Sequence, residues 1–397
     1  MNVTIDKLDN FGRGICYVND KICFVENALP GETVKIDIIT DNKKYYEAKV
    51  IDYLLKSSNR IEEECSYSSI CGGCQLNHIC YNDENTFKMN KIKEIIHKYA
   101  LLDTSIIEPI VYNGRDYYRN KIVLHGDGEK LGLFQNETNS IIPIQQCLLV
   151  NDKINEIIRF LNYNNKGIEE AIIKTSNDNS QVMISLKGMI DKIEVLSTMC
   201  DVFIMNGSYM TSKDSIITNV GSKKYYEGIR SFFQVNNTLT ELLYDEVLNV
   251  VKERHYHSVL DLYCGTGSIG IYISDVVDKI IGVDNNESNI MDAKKNKELN
   301  GVQNIDFICD KVENCIESFE NIDLVIVDPP RAGLDTKTRE TLKKIHSKTI
   351  VYVSCDIITL ARDLKDLKES YNVIKIKPFN MFPRTYHCES ITVLERR

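Results

Sequence analysis

Residues Thr349 to Asp356 read TIVYVSCD, an apolar, β-branched run that stops abruptly at Ser354, Cys355 and Asp356. Such a run is what a strand covered on both faces of a parallel sheet requires. In an open α/β sheet, ligands gather just outside the carboxyl ends of the strands. The sequence therefore delivers a thiol, Cys355, to the place where chemistry collects. A cysteine there is either a nucleophile or a small core hydrophobe, and the neighbouring sequence has to decide. From about Ser231 the pattern repeats: VLDLYC, KIIGVD, NIDFICD, IDLVIVDPP, TIVYVSCD and NVIKIKP are strand-like, most are separated by helical stretches, and SITVLER ends the chain. Alternation of this kind predicts a doubly wound, Rossmann-like α/β sheet over 231–397 with right-handed crossovers.

Upstream of that domain the periodicity changes. Residues 1–56 carry about four or five short strand-like runs, among them GICYV, KICFVEN and ETVKIDIIT, punctuated by Gly12, Gly14, Asn19-Asp20 and Pro30-Gly31. This predicts a small OB-like β-barrel, a shape often used on oligonucleotides. Residues 57–230 read as a central α+β domain, with helices over about 82–98 and 152–163. Within it, Arg119, Asn120 and Lys121 can touch phosphate, although a solvated strand edge is the plainer reading.

The chain has 397 residues, 43% hydrophobic and 26% charged, so two or three globular domains are expected. Its start, MNVTIDKLDN, has no apolar signal region, and no run is long enough to span a bilayer. Thirteen cysteines without a secretion signal predict a reducing cytoplasm, where thiols are ligands, nucleophiles or core residues. The net charge of −9 lowers the expectation of non-specific nucleic-acid binding without bearing on what a pocket recognises.

Two groups of residues carry chemistry. The first strand of the α/β domain ends in Asp261-Leu-Tyr263-Cys-Gly265-Thr-Gly267-Ser-Ile-Gly270, a G-x-G-x-x-G loop, and the second ends at Asp284, placed for a ribose hydroxyl. The fourth ends in Asp328-Pro329-Pro330-Arg331. A nicotinamide site fits the glycines alone; the combination with the Asp-Pro-Pro-Arg turn resembles S-adenosylmethionine-dependent methyltransferases instead. The second group is Cys65-x5-Cys71-Gly-Gly-Cys74, which looks like a soft-metal clip open to zinc or an iron–sulfur cluster. Cys80 and Cys147 compete for the fourth place.

Taken together, these pieces resemble the uracil-5 RNA methyltransferases of the 23S ribosomal RNA type, with an N-terminal TRAM domain. The resemblance rests on the barrel, C-x5-CGGC with IQQC at Cys147, SFFQVN (231–236), DLYCGTG, DPPRAGL, VSCD and FPRTYHCE (382–389), and it spans nearly the whole chain. It implies a class I methyltransferase fold acting on 23S rRNA, with no membrane and no obligate protein partner. It also implies Cys355 as nucleophile and Glu389 as general base. S-adenosylmethionine is implied on Gln234, Tyr263, Gly265, Asp284, Asp310 and Asp328, and a [4Fe–4S] cluster on Cys65, Cys71, Cys74 and Cys147. The chain departs from the pattern at Asp284, where Glu is commoner, at Arg384 in place of His, at Cys388 in place of Val, and at Asn77 in place of Gln. An RNA cytosine-5 methyltransferase, a pyrimidine methylase acting on tRNA, and a non-catalytic RNA-binding iron–sulfur protein are the rival readings.

The chemistry explains why one Cys and one Glu suffice. Uracil C5 is a poor nucleophile, and adding a thiolate to C6 makes C5 electron-rich, dividing one hard step into easier ones. After C5 is methylated, a base removes its proton so that the thiolate can leave. A stacked uridine must be flipped or single-stranded to be attacked at C6.

Overall fold

The computed structural model describes residues 1–136, 138–319 and 322–397. The chain divides into two compact bodies. The first holds Met1–Lys91, Phe134–Ser140 and Phe382–His387, and the second holds Ile92–Leu133, Ile141–Met381 and Cys388–Arg397.

The first body begins with a six-stranded, mostly antiparallel sheet in the order Asn2–Thr4, Thr33–Asp41, Tyr45–Leu55, Lys21–Glu26, Gly14–Val18, Lys7–Leu8. The outermost strands are only three and two residues long, too short to declare a period-2 pattern, which is why the sequence suggests fewer. Asn19 and Asp20 both take positive φ (50° and 62°) between Gly14–Val18 and Lys21–Glu26. Two such residues make the tight turn whose twist suits a hairpin, and Asn and Asp tolerate it better than most. The interior face carries Val3, Ile5, Cys16, Val18, Cys23, Val25, Val34 and Ile36.

The second body holds two seven-stranded sheets and a separate hairpin, Ile216–Val220 with Lys223–Glu227. One sheet is mixed and centres on Asn165–Thr175, flanked by Val182–Ile190 and Lys121–Gly126. The helix Asp152–Tyr163 falls where the apolar spacing predicts; the Asn151 side chain caps its start by accepting from the Ile154 N–H.

The other sheet is the predicted one. Its order is Ile305–Cys309, Lys279–Asp284, Ser258–Leu262, Leu324–Val327, Thr349–Ser354, Glu389–Arg396, Tyr371–Phe379. The first five are parallel, and Glu389–Arg396 runs antiparallel to both its neighbours. Strand order reverses direction at Ser258–Leu262, so the crevice of a doubly wound sheet opens at the carboxyl end of that strand. Thr349–Ser354 is buried at every position, matching its unbroken apolar sequence. Among the described residues no helix is long and apolar enough to cross a membrane.

The glycine loop is tightly constrained. Gly267 has φ 75°, and a Cβ there would stand 2.5 Å from Cζ of Phe307. Gly267→Ala is expected to destabilise the protein by about 1–3 kcal/mol through that clash and the strained φ, measured by urea unfolding against wild type.

Candidate active site

The site is assembled by sheet register. Ser354 pairs with Ser390 across Thr349–Ser354 and Glu389–Arg396. The next position on one strand is Cys355 and on the other Glu389, so the antiparallel turn-back of the final strand brings the thiol and the carboxyl to the same sheet edge. Cys355 is half-buried and Glu389 only 2% exposed. Behind Cys355, Asp356 caps the helix Ile357–Leu367 by accepting from the Ile358 and Thr359 N–H groups. That helix in turn holds the Asp-Pro-Pro-Arg turn: the Thr359 hydroxyl donates to the Arg331 carbonyl at 3.1 Å, and the Arg362 guanidinium to the Ala332 carbonyl at 2.9 Å.

Asp328 ends the neighbouring strand, its N–H donating to the Leu262 carbonyl. Asp261 is buried in the adjoining strand and accepts from the Gly270 N–H at 3.1 Å; its other carboxylate oxygen has no hydrogen-bond partner among the described residues. Asp284 accepts from the Gly265 N–H at 3.0 Å and from the Asn286 N–H at 2.8 Å, which ties the second strand to the glycine loop. The Asp310 N–H donates to the Asp284 carbonyl at 3.1 Å, placing Asp310 beside it. Tyr263 holds φ 61°, an uncommon conformation for a residue with a side chain and one that gathers at functional sites. Gln234 is buried, with its carbonyl 3.4 Å from the Asn120 side-chain amide. All eight residues expected of the catalytic and cofactor groups thus lie in the second body. Asn120 is not the solvated edge expected of it: it is 1% exposed and bonds the Gln234 segment.

Burial and mutual repulsion set the protonation states. Burial pushes Glu389 up to about 8, with Asp328 raising it further and Arg331 opposing. Burial likewise pushes Asp328 to about 7, and Asp261 to about 7 with help from Asp328. The Cys355 thiol is pushed to about 12 by burial, then by Glu389 and Asp328, against Arg331. Arg331 is the cation that eases both reacting groups, a role its place in a turn motif does not advertise. Four acidic groups around one crevice, one with an unpartnered buried oxygen, fit a cationic ligand carrying an amine and a ribose. That fits S-adenosylmethionine, whose positive sulfur would offset the repulsion that adds to burial in keeping Cys355 protonated.

The first body holds the cysteine clip. Cys71 bridges to Gln135 and accepts the Gly73 N–H at 3.4 Å on its sulfur; burial, and after it the nearby Cys65, pushes its thiol up. Cys80 is turned away, its thiol donating to Asp83 at 2.8 Å. Cys147 belongs to the second body, where its N–H donates to the Asn155 side chain at 2.8 Å. Among the described residues no three His, Cys, Asp or Glu side chains are grouped so as to hold a metal ion. Of the thiols expected to hold a cluster, Cys65, Cys71 and Cys74 thus lie in the first body and Cys147 in the second, and no step is derived through a cluster. Two departures from the family pattern meet here: Arg384, 1% exposed, donates to Asn77 Oδ1 at 3.1 Å and to Glu64 at 3.0 Å, while its backbone N–H is held by Glu84.

Strand order, the glycine loop and the acidic strand ends define a class I S-adenosylmethionine-dependent methyltransferase. Residues 203–397 match a family described as tRNA (uracil-5-)-methyltransferase, and residues 1–51 match the TRAM domain. An uncharacterized RNA methyltransferase of Clostridium tetani is 31% identical over 99% of this chain and 95% of its own length. One of Clostridium acetobutylicum is 33% identical over 99% and 96%. The solved structure of Pyrococcus abyssi tRNA (uracil-54, C5)-methyltransferase superposes with a TM-score of 0.81 at 25% identity, covering 99% of this chain and all of that one. The chain belongs to the S-adenosylmethionine-dependent RNA uracil-5 methyltransferases.

A carboxyl whose folded value lies above its ordinary 4.5 keeps its proton in the folded chain after the unfolded chain has released it. The contribution of Glu389 to stability must therefore fall as pH rises from about 4.5 to about 8, Asp328 and Asp261 acting in the same sense. Glu389→Gln is expected to raise the melting temperature at pH 8 and to flatten its decline between pH 5 and pH 8, measured by thermal scans across that range.

Proposed function

We propose that the protein methylates uracil C5 of specific uridines in 23S ribosomal RNA, forming 5-methyluridine through a covalent adduct between Cys355 and C6. The observation that carries this reading is the register that sets Cys355 and Glu389 side by side at the crevice. Bound S-adenosylmethionine supplies the electrophilic methyl group; Gln234, Tyr263, Gly265, Asp284, Asp310 and Asp328 are the residues proposed to hold it.

The chain's own groups then act in turn. Arg331 favours ionisation of Cys355, and the thiolate adds to C6, moving electron density to C5. Once C5 carries the methyl group, Glu389 takes the C5 proton and the C6–sulfur bond breaks, expelling the thiolate and restoring the ring. A buried carboxyl with a pKa near 8 is matched to that proton transfer near neutral pH. Phe232, 68% exposed two residues before Gln234, offers a face on which a flipped base can stack. The TRAM barrel and the remaining first body are the proposed RNA-binding surface.

The rRNA assignment is supported by the chain's combination of a TRAM barrel with C-x5-CGGC. A second reading, tRNA as substrate, is favoured by the similarity to the Pyrococcus enzyme. The test is incubation of unmodified 23S rRNA and unmodified tRNA, separately, with labelled S-adenosylmethionine, followed by nucleoside digestion. Label in 5-methyluridine from rRNA alone supports the first reading, and label from tRNA alone the second. Label in 5-methylcytidine overturns both.

Cys355→Ala is expected to abolish incorporation completely, measured in the same digest. Glu389→Ala is expected to lower turnover by at least about 10²-fold and to accumulate a methylated RNA–protein adduct, because the C5 proton has nowhere to go. That adduct would appear as a shifted band on a denaturing gel and be absent from Cys355→Ala. For wild type, kcat is expected to rise with pH up to about 8, as Glu389 ionises.

A further inference from the structure

An ion pair sealed inside the second body lies outside the chemistry described above. Lys174 is 1% exposed and Glu227 fully buried, and Lys174 Nζ stands 2.6 Å from Glu227 Oε2. Burying two charges costs several kilocalories per mole of desolvation that their attraction seldom more than repays, and an apolar pair of similar volume is often as stable or better. Such a pair is poorly explained by stability alone. Its placement makes matters worse: Lys174 lies directly opposite Lys121 in the antiparallel register, and like charges so placed repel. Lys121 is accordingly held below the usual lysine range, by burial first and then by Lys174.

What the pair does follows from its other bonds. Lys174 Nζ also donates to the Gly228 and Ser231 carbonyls, both at 3.2 Å. Both acceptors are backbone groups in the loop that leads to Phe232 and Gln234, while the contact with Glu227 is one of charge: neither of its carboxylate oxygens has a hydrogen-bond partner among the described residues. Ser231 closes the loop on itself, accepting from the Gly228 N–H at 3.2 Å and donating to Asp292 at 2.6 Å. The far end is held by Asn120, whose N–H donates to the Val235 carbonyl at 3.1 Å. Glu227 ends the strand Lys223–Glu227, and that strand is fastened to the glycine loop: the Tyr225 hydroxyl donates to the Ser268 carbonyl at 3.1 Å. Asn296 bridges the two, accepting the Tyr226 N–H at 2.7 Å and donating to the Thr266 carbonyl at 3.1 Å.

We propose that Lys174, balanced by Glu227, is a positioning residue for the methyl transfer: it fixes the loop 228–236 so that Gln234 is presented to the cofactor crevice in one conformation. Glu227 is needed because an ammonium tethering two carbonyls in a dry interior must be neutralised locally. Lys174 touches no reacting atom; it acts through Gln234. The inference rests on the proposed cofactor role of Gln234.

The test compares wild type with Lys174→Met/Glu227→Leu, which is charge-balanced and close in volume, and with Glu227→Gln. S-adenosylmethionine binding is measured by calorimetry without RNA, and KM and kcat are measured on RNA. The double variant is expected to melt close to wild type, to bind S-adenosylmethionine about tenfold more weakly, and to show the loss in the KM for S-adenosylmethionine rather than in kcat. Glu227→Gln, which leaves the buried ammonium without its counter-charge, is expected to melt well below both wild type and the double variant. A folded double variant with wild-type binding and kinetics overturns the proposal, as does failure of both variants to fold, which would make the pair a scaffold. Wild type that binds S-adenosylmethionine but methylates no RNA would sink the functional reading while the binding comparison still decides the role of Lys174.

Discussion

The antiparallel pairing of Glu389–Arg396 against Thr349–Ser354 is the constraint on which the rest depends. Five parallel strands deliver their carboxyl ends to one edge, as any doubly wound sheet must. A sixth parallel strand would bring its carboxyl end to that edge as well and carry its first residue to the opposite one. Reversing it brings Glu389, the start of the strand, to the edge where Cys355 ends its own. Because hydrogen-bonded register fixes neighbouring Cα positions within a few ångströms, the nucleophile and the base are held as rigidly as the sheet itself. A one-residue slip would turn Glu389 to the other face and bring Cys388 or Ser390 into its place.

Electrostatics then turn a fold into a reactive site. Asp261, Asp284, Asp328 and Glu389 crowd the edge, and burial leaves Glu389, Asp328 and Asp261 with raised pKa values. Burial first, and the same crowding after it, keep the thiol protonated. This is an arrangement set against its own charge, and a cationic cofactor relieves it. The same logic applies at Lys174 and Glu227, where ions are buried at a cost to stability so that a loop has a single shape. In the first body, Arg384 is likewise buried, its guanidinium held by Asn77 and Glu64 and its backbone N–H by Glu84.

Some of this was legible because the signals are local. An apolar β-branched run between helical stretches can be little else than a buried parallel strand, and TIVYVS, Thr349–Ser354, is buried throughout. Turn chemistry is local too: the glycines of DLYCGTG and the Asn19-Asp20 pair are where positive φ is observed. What failed to read through was contact over long separations in sequence. Asn120 looked like a strand edge because nothing near it says that Gln234 lies 114 residues away in the chain and under its amide. Arg331 looked like a turn residue. Spacing marks the cysteine clip but sets only what thiols can reach: it does not say that Cys80, one candidate for the fourth place, gives its proton to Asp83.

By itself the sequence determined the alternation of strands and helices, the glycine loop and the residue types at each strand end, because each follows from side-chain periodicity or from what one residue's φ permits. Tertiary structure decided which strand ends share an edge, how Cys355 and Glu389 come to face one another, and how far each carboxyl is pushed from its ordinary pKa. Those depend on register and on desolvation, and both are set by residues tens to hundreds of positions apart that only the folded chain brings together.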